Sequence, residues 1–241
     1  VCMKHVGMNM AADAFVNSAM TGANGGLVVV AADDPSMHSS QNEQDSRFYG
    51  KFALVPTFEP STQQEAYDMA KAAFELSERF RIPVLMRLTT RMAHSRAVVE
   101  VTEPRAENEL HAPADTRRWV LMPGNSRVRY KGLLDDYARL EEAAAASPFN
   151  AYAEGPDKRL GIIACGIAHN YVMENYPDGC PHPVLKLSQY QLPRDLVRRM
   201  ASECQALLVV EEGQPVVEEA VRGVLPGPLP IRGRLTGELP R

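Results

Sequence analysis

Leu27-Val28-Val29-Val30-Ala31-Ala32-Asp33-Asp34-Pro35-Ser36-Met37-His38-Ser39-Ser40-Gln41-Asn42-Glu43-Gln44-Asp45-Ser46-Arg47 joins an uninterrupted apolar run to a long polar one. The run Leu27–Ala32, rich in β-branched residues, predicts a strand buried on both faces, as in a parallel sheet. In open α/β sheets ligands bind just beyond the carboxyl ends of the strands. The segment from Asp33 to Arg47 occupies that position and exceeds the usual strand-to-helix loop of about 2–6 residues. It is therefore read as part of a ligand site.

Upstream, Val1–Met3 reads as the end of a first strand, and Lys4–Asn9 as the turn after it, with Gly7 suited to a tight bend. A helix is expected from about Met8 to Ala19, ended by Thr21–Gly26. Those glycines precede a strand, whereas a phosphate-binding loop lies between a strand and the following helix. Downstream, a short helix is expected around Asp45–Phe52 and a strand at Leu54–Pro56. Ser61 with Gln64 has capping-box spacing for a helix to about Arg81. Pro83–Leu88 reads as a strand followed by the polar run Thr89–Arg96. Alternation of strand and helix implies a parallel sheet with crossover connections.

Between Val99 and Ala153 the composition shifts to scattered charges and prolines. A charged helix over about Ser126–Ala146, with Val128, Leu133, Leu134, Tyr137 and Leu140 on its apolar face, reads as a bridge, and Ser147–Asp157 as a linker. A second alternating unit follows, with strands at Leu160–Ala164, Val184–Leu187 and Ala206–Val210. Its helices are expected at Ile167–Asn175, Pro193–Ser202 and Val216–Val221. The expected division is residues 1–98, a connecting region 99–155 with its bridging helix, and a second α/β domain 156–241.

The chain has 241 residues, enough for one large or two modest domains. Apolar residues at 45% and charged ones at 23% fit a globular chain. A net charge of −4 and the lack of a basic face argue against nucleic acid. No apolar window is long enough to span a membrane, and no signal peptide opens the chain. The cysteines Cys2, Cys165, Cys180 and Cys204 have no paired spacing, which argues against a disulfide framework, a zinc site or an iron–sulfur cluster within these residues. A reducing cytoplasm is the expected compartment. Neither end reads as a natural terminus: the chain opens inside a strand and closes on a polar linker, so a fragment is expected.

The loop offers His38, the hydroxyls of Ser39 and Ser40, the amides of Gln41 and Asn42, and the carboxylates of Glu43 and Asp45, with Arg47 beyond. That set can bind a polar small molecule and supply an acid or base. Lys4, His5 and Asn9 should share its edge of the sheet, as ligand contacts or as turn and cap residues. Arg87, Arg91, His94 and Ser95 should complete the rim, an arginine there gripping either a ligand anion or a loop carboxylate. Cys165-Gly166-Ile167 could present amides to a phosphate, but tight turn geometry explains it as well. Cys165 itself is read as a small buried residue. Glu211-Glu212-Gly213 is read as a solvated end.

Three stretches carry a resemblance: Lys4–Asn9, the loop Asp33–Asp45, and Leu88–Arg91 with His94-Ser95. Together they closely resemble the α-subunit family of the indolepyruvate:ferredoxin oxidoreductases, thiamine-diphosphate-dependent 2-oxoacid enzymes. Gly161–Ala168 and Val209–Gly213 resemble that family's transketolase-C-like domain. The resemblance implies that residues 1–98 are the C-terminal part of a pyrimidine-binding domain. It also implies oxidative decarboxylation of arylpyruvates to aryl-acetyl-CoA, the partners being ferredoxin and a β subunit in an anaerobic cytoplasm. His38 would then meet the 2-oxoacid as the catalytic candidate. Ser39, Gln41, Asn42 and Arg91 would bind substrate, while Lys4, His5, Asn9, Glu43, Asp45 and Arg47 would lie near the cofactor or organise the loop. The glutamate that activates thiamine, the domain holding the diphosphate and Mg2+, and the ligands of the [4Fe-4S] clusters would all lie outside these residues, leaving the chain inactive alone. A pyruvate-type relative and a non-catalytic module for assembling subunits are the alternatives.

Overall fold

A computed structural model describes residues 1–109 and 111–240; of the expected polar linker at Gly237–Arg241, the last residue lies outside the described ones. Two five-stranded sheets organise the molecule. The first contains β1 (Cys2–Lys4), β2 (Val28–Asp33), β3 (Thr57–Phe58) and β4 (Val84–Thr89). These are parallel, with β1 beside β2, β2 beside β4 and β4 beside β3.

Alternation along β2 and β4 sends successive side chains to opposite faces. Val29, Ala31 and Leu85 join a core with Met8, Phe15 and Ala53. These last come from α1 (His5–Met10), α2 (Ala12–Thr21) and α3 (Arg47–Ala53). Val28, Val84 and Met86 pack instead with Met69 and Ala73 of α4 (Gln63–Phe80). The first unit is thus a sheet between two helical layers. A short α5 (Thr90–His94) follows β4 directly.

Several expected boundaries shift for local reasons. The single helix over Met8–Ala19 is instead two, separated at Ala11, whose φ and ψ of −92° and 6° leave the helical region. Leu54–Pro56 is not a strand: Leu54 takes a left-handed conformation that caps α3, and pairing starts at Thr57. The N-cap of α4 is Thr62, not Ser61: Thr62 Oγ1 accepts from Glu65 N, while Glu65 Oε2 accepts from Ser61 N and Oγ. The sequence placed the capping box one residue early.

A 3-10 turn at Thr116–Trp119 precedes α6 (Pro123–Ala145), which starts with proline at its first turn, where a missing N–H costs nothing. Leu133 and Leu140 enter the first core. Val128 and Leu134, expected on the same face, are exposed. The expected linker at Ser147–Asp157 contains a strand, β5 (Ala151–Ala153), paired antiparallel with the second sheet.

The second sheet has the order β10-β9-β6-β7-β5, with β6 (Gly161–Cys165), β7 (Val184–Leu187), β9 (Leu207–Val210) and β10 (Ile231–Arg232) parallel. Ile163, Cys165, Leu185, Leu207 and Val209 face α8 (Arg194–Glu203) and α9 (Val216–Val224). Ile162 and Ala164 face α7 (Ala168–Glu174). From β6 the chain passes to β7 on one side and later to β9 on the other, so the topology reverses between β6 and β9.

The two sheets share a strand path. One residue after β7, β8 (Gln189–Tyr190) joins the first sheet, antiparallel to β3, with Thr57 opposite Tyr190. Asn150 fixes this crossing: its Nδ2 donates to Ala144 O and Gln189 O, and its Oδ1 accepts from Ser188 N and Gln189 N. No described helix is long and apolar enough to cross a membrane.

Candidate functional site

The loop between β2 and α3 lies where expected, at the carboxyl edge of the first sheet. Its tip is exposed and its two ends are buried. Asp34 builds the first turn: its carboxylate accepts from His38 N at 3.1 Å, Ser39 N at 2.8 Å and Thr90 Oγ1 at 2.6 Å. The Thr90 hydroxyl first, then the loop amides, hold this carboxyl well below the usual carboxylate range. Ser36 and Met37 sit at positive φ inside that turn. Glu43 accepts from Ser36 N, so it closes the loop on itself.

His38, Ser39, Gln41 and Asn42 therefore project from a backbone that other residues have fixed. Among the described residues the ring of His38 makes no hydrogen bond. Lys4 reaches the loop through Nζ–Ser40 Oγ at 2.9 Å, and Asn9 Oδ1 accepts from the Tyr49 hydroxyl. His5 differs: it is fully buried, and neither ring nitrogen has a partner.

Below the loop lies a closed ionic cluster. Arg47 Nη1 meets Glu211 Oε2 at 2.6 Å, and its Nη2 meets Asp45 Oδ2 at 2.5 Å. Arg47 Nη2 also donates to the carbonyls of Glu212 and Gln214, both at 2.8 Å. Arg87 Nε meets Asp33 Oδ2 at 2.6 Å, Arg87 Nη1 meets Glu59, and Tyr190 donates its hydroxyl to Glu59 Oε2. All six charged side chains are at most 2% exposed.

Buried charges persist only when paired and hydrogen-bonded. Four carboxylates here surround two guanidinium groups. Burial, the largest influence, pushes the Asp33 and Glu211 carboxyls up. Asp45, equally buried, is held below the usual range because both arginines lie against it. Gly213 permits this packing: at a φ of +86°, an added Cβ would stand 2.6 Å from Asp45 Oδ2 and 2.9 Å from Arg87 Nη2.

The cluster corrects one reading and decides another. Glu211-Glu212-Gly213 is not a solvated end, since Glu211 is 3% exposed and docks on Arg47 of the other unit. Of its two expected fates Arg87 takes the loop carboxylate: its guanidinium meets Asp33 and Glu59 and does not line a ligand rim. Its signal in the sequence was a single cation inside the apolar run Val84–Leu88; Glu59, between Phe58 and Pro60, carried none. Arg91 also turns to the second unit, stacking over Tyr171 and approaching Glu212 Oε1 at 3.6 Å. The Cys165-Gly166 turn takes the turn-geometry reading. Gly166 has φ +50°, its N–H bonds Leu187 O, and an added Cβ would stand 2.5 Å from Glu59 Cγ. Cys165 is fully buried as expected.

This geometry defines a two-unit α/β protein, with a polar loop mounted at a sheet edge and locked to the second unit beneath it. Its architecture matches 2-oxoglutarate:ferredoxin oxidoreductase from Magnetococcus marinus with a TM-score of 0.67 at 11% identity, covering 96% of this chain and 49% of that one. No family model matches the chain. By sequence it is 44% identical over 245 residues to indolepyruvate oxidoreductase subunit IorA of Methanothermobacter thermautotrophicus, covering 99% of the chain and 40% of that protein. The same subunit of Archaeoglobus fulgidus is 43% identical over 246 residues, covering 99% of the chain and 38% of the relative. That of Pyrococcus abyssi is 44% identical over 232 residues, covering 91% and 35%. Along nearly its whole length the chain is similar to indolepyruvate oxidoreductase subunit IorA, and it spans about two fifths of those relatives' length.

Proposed function

We propose that these residues form the substrate-facing wall of a thiamine-diphosphate site in an oxidoreductase that decarboxylates arylpyruvates, indolepyruvate among them, and passes electrons to ferredoxin. The observation that carries this reading is identity of 43–44% with IorA along 99% of the chain. The loop braced at the carboxyl edge of the first sheet supports it.

Thiamine diphosphate, when bound, supplies the electron sink for decarboxylation. The chain's residues fit the substrate side of such a site and not its diphosphate end. Among the described residues no group of three or more His, Cys, Asp or Glu could hold a metal ion. Mg2+ and the [4Fe-4S] clusters would be held elsewhere in the assembly, as would ferredoxin, CoA and the β subunit. Within this chain His38, exposed on a fixed backbone, contacts the 2-oxoacid and serves as the acid–base group. Ser39, Gln41 and Asn42 hydrogen-bond the substrate. Lys4 holds the loop tip through Ser40, while Asp45 and Arg47 hold its base. Arg91 stands at the loop's border with the second unit, facing anions that enter there.

The test is viologen reduction by the complete enzyme with indolepyruvate and CoA, comparing wild type with His38→Ala and using the 241-residue chain by itself as a control. The expected results are a loss in kcat/KM of about 10²–10⁴-fold for His38→Ala, the range of general acid–base catalysis, and no reduction by the chain alone. Unchanged turnover in His38→Ala would remove its role. Pyruvate turned over in preference to arylpyruvates would move the enzyme to the pyruvate-type class.

A further inference from the structure

The buried side chains of α6 are Leu133, Leu140 and Ala144, so the helix's opening stretch, Pro123–Gly132, overhangs the core. At 1.5 Å per residue the overhang is about 15 Å long. A helix that short is marginal in water without packing. This one also carries Gly132 in its interior, where glycine is destabilising. Nothing in this chain demands that residue, since an added Cβ at Gly132, as at Gly124, would meet no atom within 4 Å. Glycine on a surface admits the close approach of another backbone. Gly124, Val128 and Gly132, four apart, share one side of the helix, turned away from Leu133 and Leu140.

The segment before the helix widens this surface. Trp119, Val120, Leu121 and Met122 are all exposed, Met122 at 62%, as is Val128 at 71%. Asn125 Nδ2 donates to Val120 O at 3.0 Å and Arg129 Nη2 meets Asp115 Oδ2 at 3.0 Å, so residues 115–122 lie against the first turns of α6. Arg118 anchors the segment on the first unit through Thr21 O and Arg81 O. From Thr116 to Leu134 there are five cations and no acid, a basic stretch that the net charge of −4 conceals. Arg118 and Arg129 are tied into the fold by these bonds. Among the described residues Arg117, Arg127 and Lys131 have no ion-pair partner, and the N-terminal end of the helix adds positive potential.

We infer that the surface from Trp119 to Gly132 docks an acidic face of another protein chain. An apolar centre of aromatic, aliphatic and methionine side chains inside a polar, cationic rim is the anatomy of a protein interface. The unpaired cations select an acidic partner. A second copy of this chain is disfavoured by its own charge. A two-fold contact would set five cations against five, and a head-to-tail contact would propagate into a filament unless its rotation closed. A segment of the same polypeptide is already held near by its tether and gains nothing from unpaired cations, whereas a separately folded partner is steered and oriented by them. The inference takes from the proposed function only that the chain works within an assembly. Its readouts are contact and association, not turnover, so its failure leaves the role given to His38 untouched.

The test uses the intact oxidoreductase with p-benzoylphenylalanine in place of Val128, photolysis and peptide mapping. Crosslinks are expected to a different chain, at a peptide with more Asp and Glu than Lys and Arg. Two variants then report association, read as dissociation on dilution. Arg127→Glu combined with Lys131→Glu should weaken the complex about tenfold or more, because like charges would then face each other. Salt at about 0.5 M should weaken the wild-type complex more than this variant. Gly132→Leu enters open space in this chain and removes a helix-weakening residue, so folding survives; blocking close approach, it should still weaken the complex about tenfold. Crosslinks confined to the same polypeptide or joining two copies of this chain, no crosslink at all, or association unchanged in either variant would overturn the inference. Binding of the intact enzyme to phosphatidylserine vesicles that is lost in the charge-reversal variant would assign the surface to a membrane and overturn it equally.

Discussion

Replacing Arg47 by Met tests whether the ionic cluster couples the two units. Met keeps much of the apolar length and removes the charge. The loss is specific: the 2.6 Å contact to Glu211, the 2.5 Å contact to Asp45, and the donors to the carbonyls of Glu212 and Gln214. Glu211 would keep only the amides of Val217 and Glu218, and Asp45 would depend on Gln214 N, its own loop amide and Arg87, 3.6 Å away. Removing one member of a buried pair costs about 3–5 kcal/mol, because the partner's charge stays buried. For a chain of this size each kcal/mol moves Tm by about 2–4 °C, so a fall of roughly 6–20 °C is expected.

Glu211→Gln in the same background separates this account from simple loss of packing. Neutralising the stranded carboxylate should recover stability, making the double variant less damaged than the sum of the singles by about 2 kcal/mol, within the range seen for residues in one network. Lowering the pH should act in the same direction. Burial already raises the Glu211 pKa, and losing its cation raises it further, so the Arg47→Met deficit should shrink between pH 7 and pH 5 as the carboxyl takes up a proton. The assay is urea unfolding of the four members of the cycle. A deficit below about 1 kcal/mol, or additivity within about 0.5 kcal/mol, would refute the coupling.

Asn150→Ala removes both donors and both acceptors from the crossing where β7 continues into β8. Stranding buried backbone groups there should cost about 2–4 kcal/mol by the same unfolding assay, with faster amide exchange at Ser188 and Gln189. Glu203 is held down to about 2 by hydrogen bonds from Lys158, then Tyr152 and Arg199. Its carboxyl resonance should titrate near that value, below the ordinary 4.5; the preference of its contacts for the ionised form is present above pH 4.5 and lost as pH falls through about 2. A midpoint near 4.5 would show that these contacts do not persist in solution.

Much of this architecture could be read from local pattern. The strands at Val28–Asp33, Val84–Thr89 and Val184–Leu187 announce themselves as apolar runs, because strands of a parallel sheet are covered on both faces. The position of the polar loop followed from the same rule. The short pieces could not be read this way: Thr57–Phe58, Ala151–Ala153, Gln189–Tyr190 and Ile231–Arg232 are too brief for periodicity, and become strands only because a neighbour offers a free edge.

The loop from Asp33 to Arg47 shows the division most clearly. Sequence determined that a polar segment follows a buried strand, that it carries His38, Ser39, Gln41 and Asn42, and that it resembles one family. Tertiary structure decided which polar residues stay exposed at the loop tip and which hold the fold. Asp33, Asp45 and Arg47 look as polar as their neighbours in one dimension, yet they are buried against Arg87, Glu59 and Glu211. The reason is electrostatic: a buried charge is stable only beside its counter-charge, and although Asp45 and Arg47 are near neighbours, Asp33 finds Arg87 54 positions on and Arg47 also needs Glu211, 164 positions away.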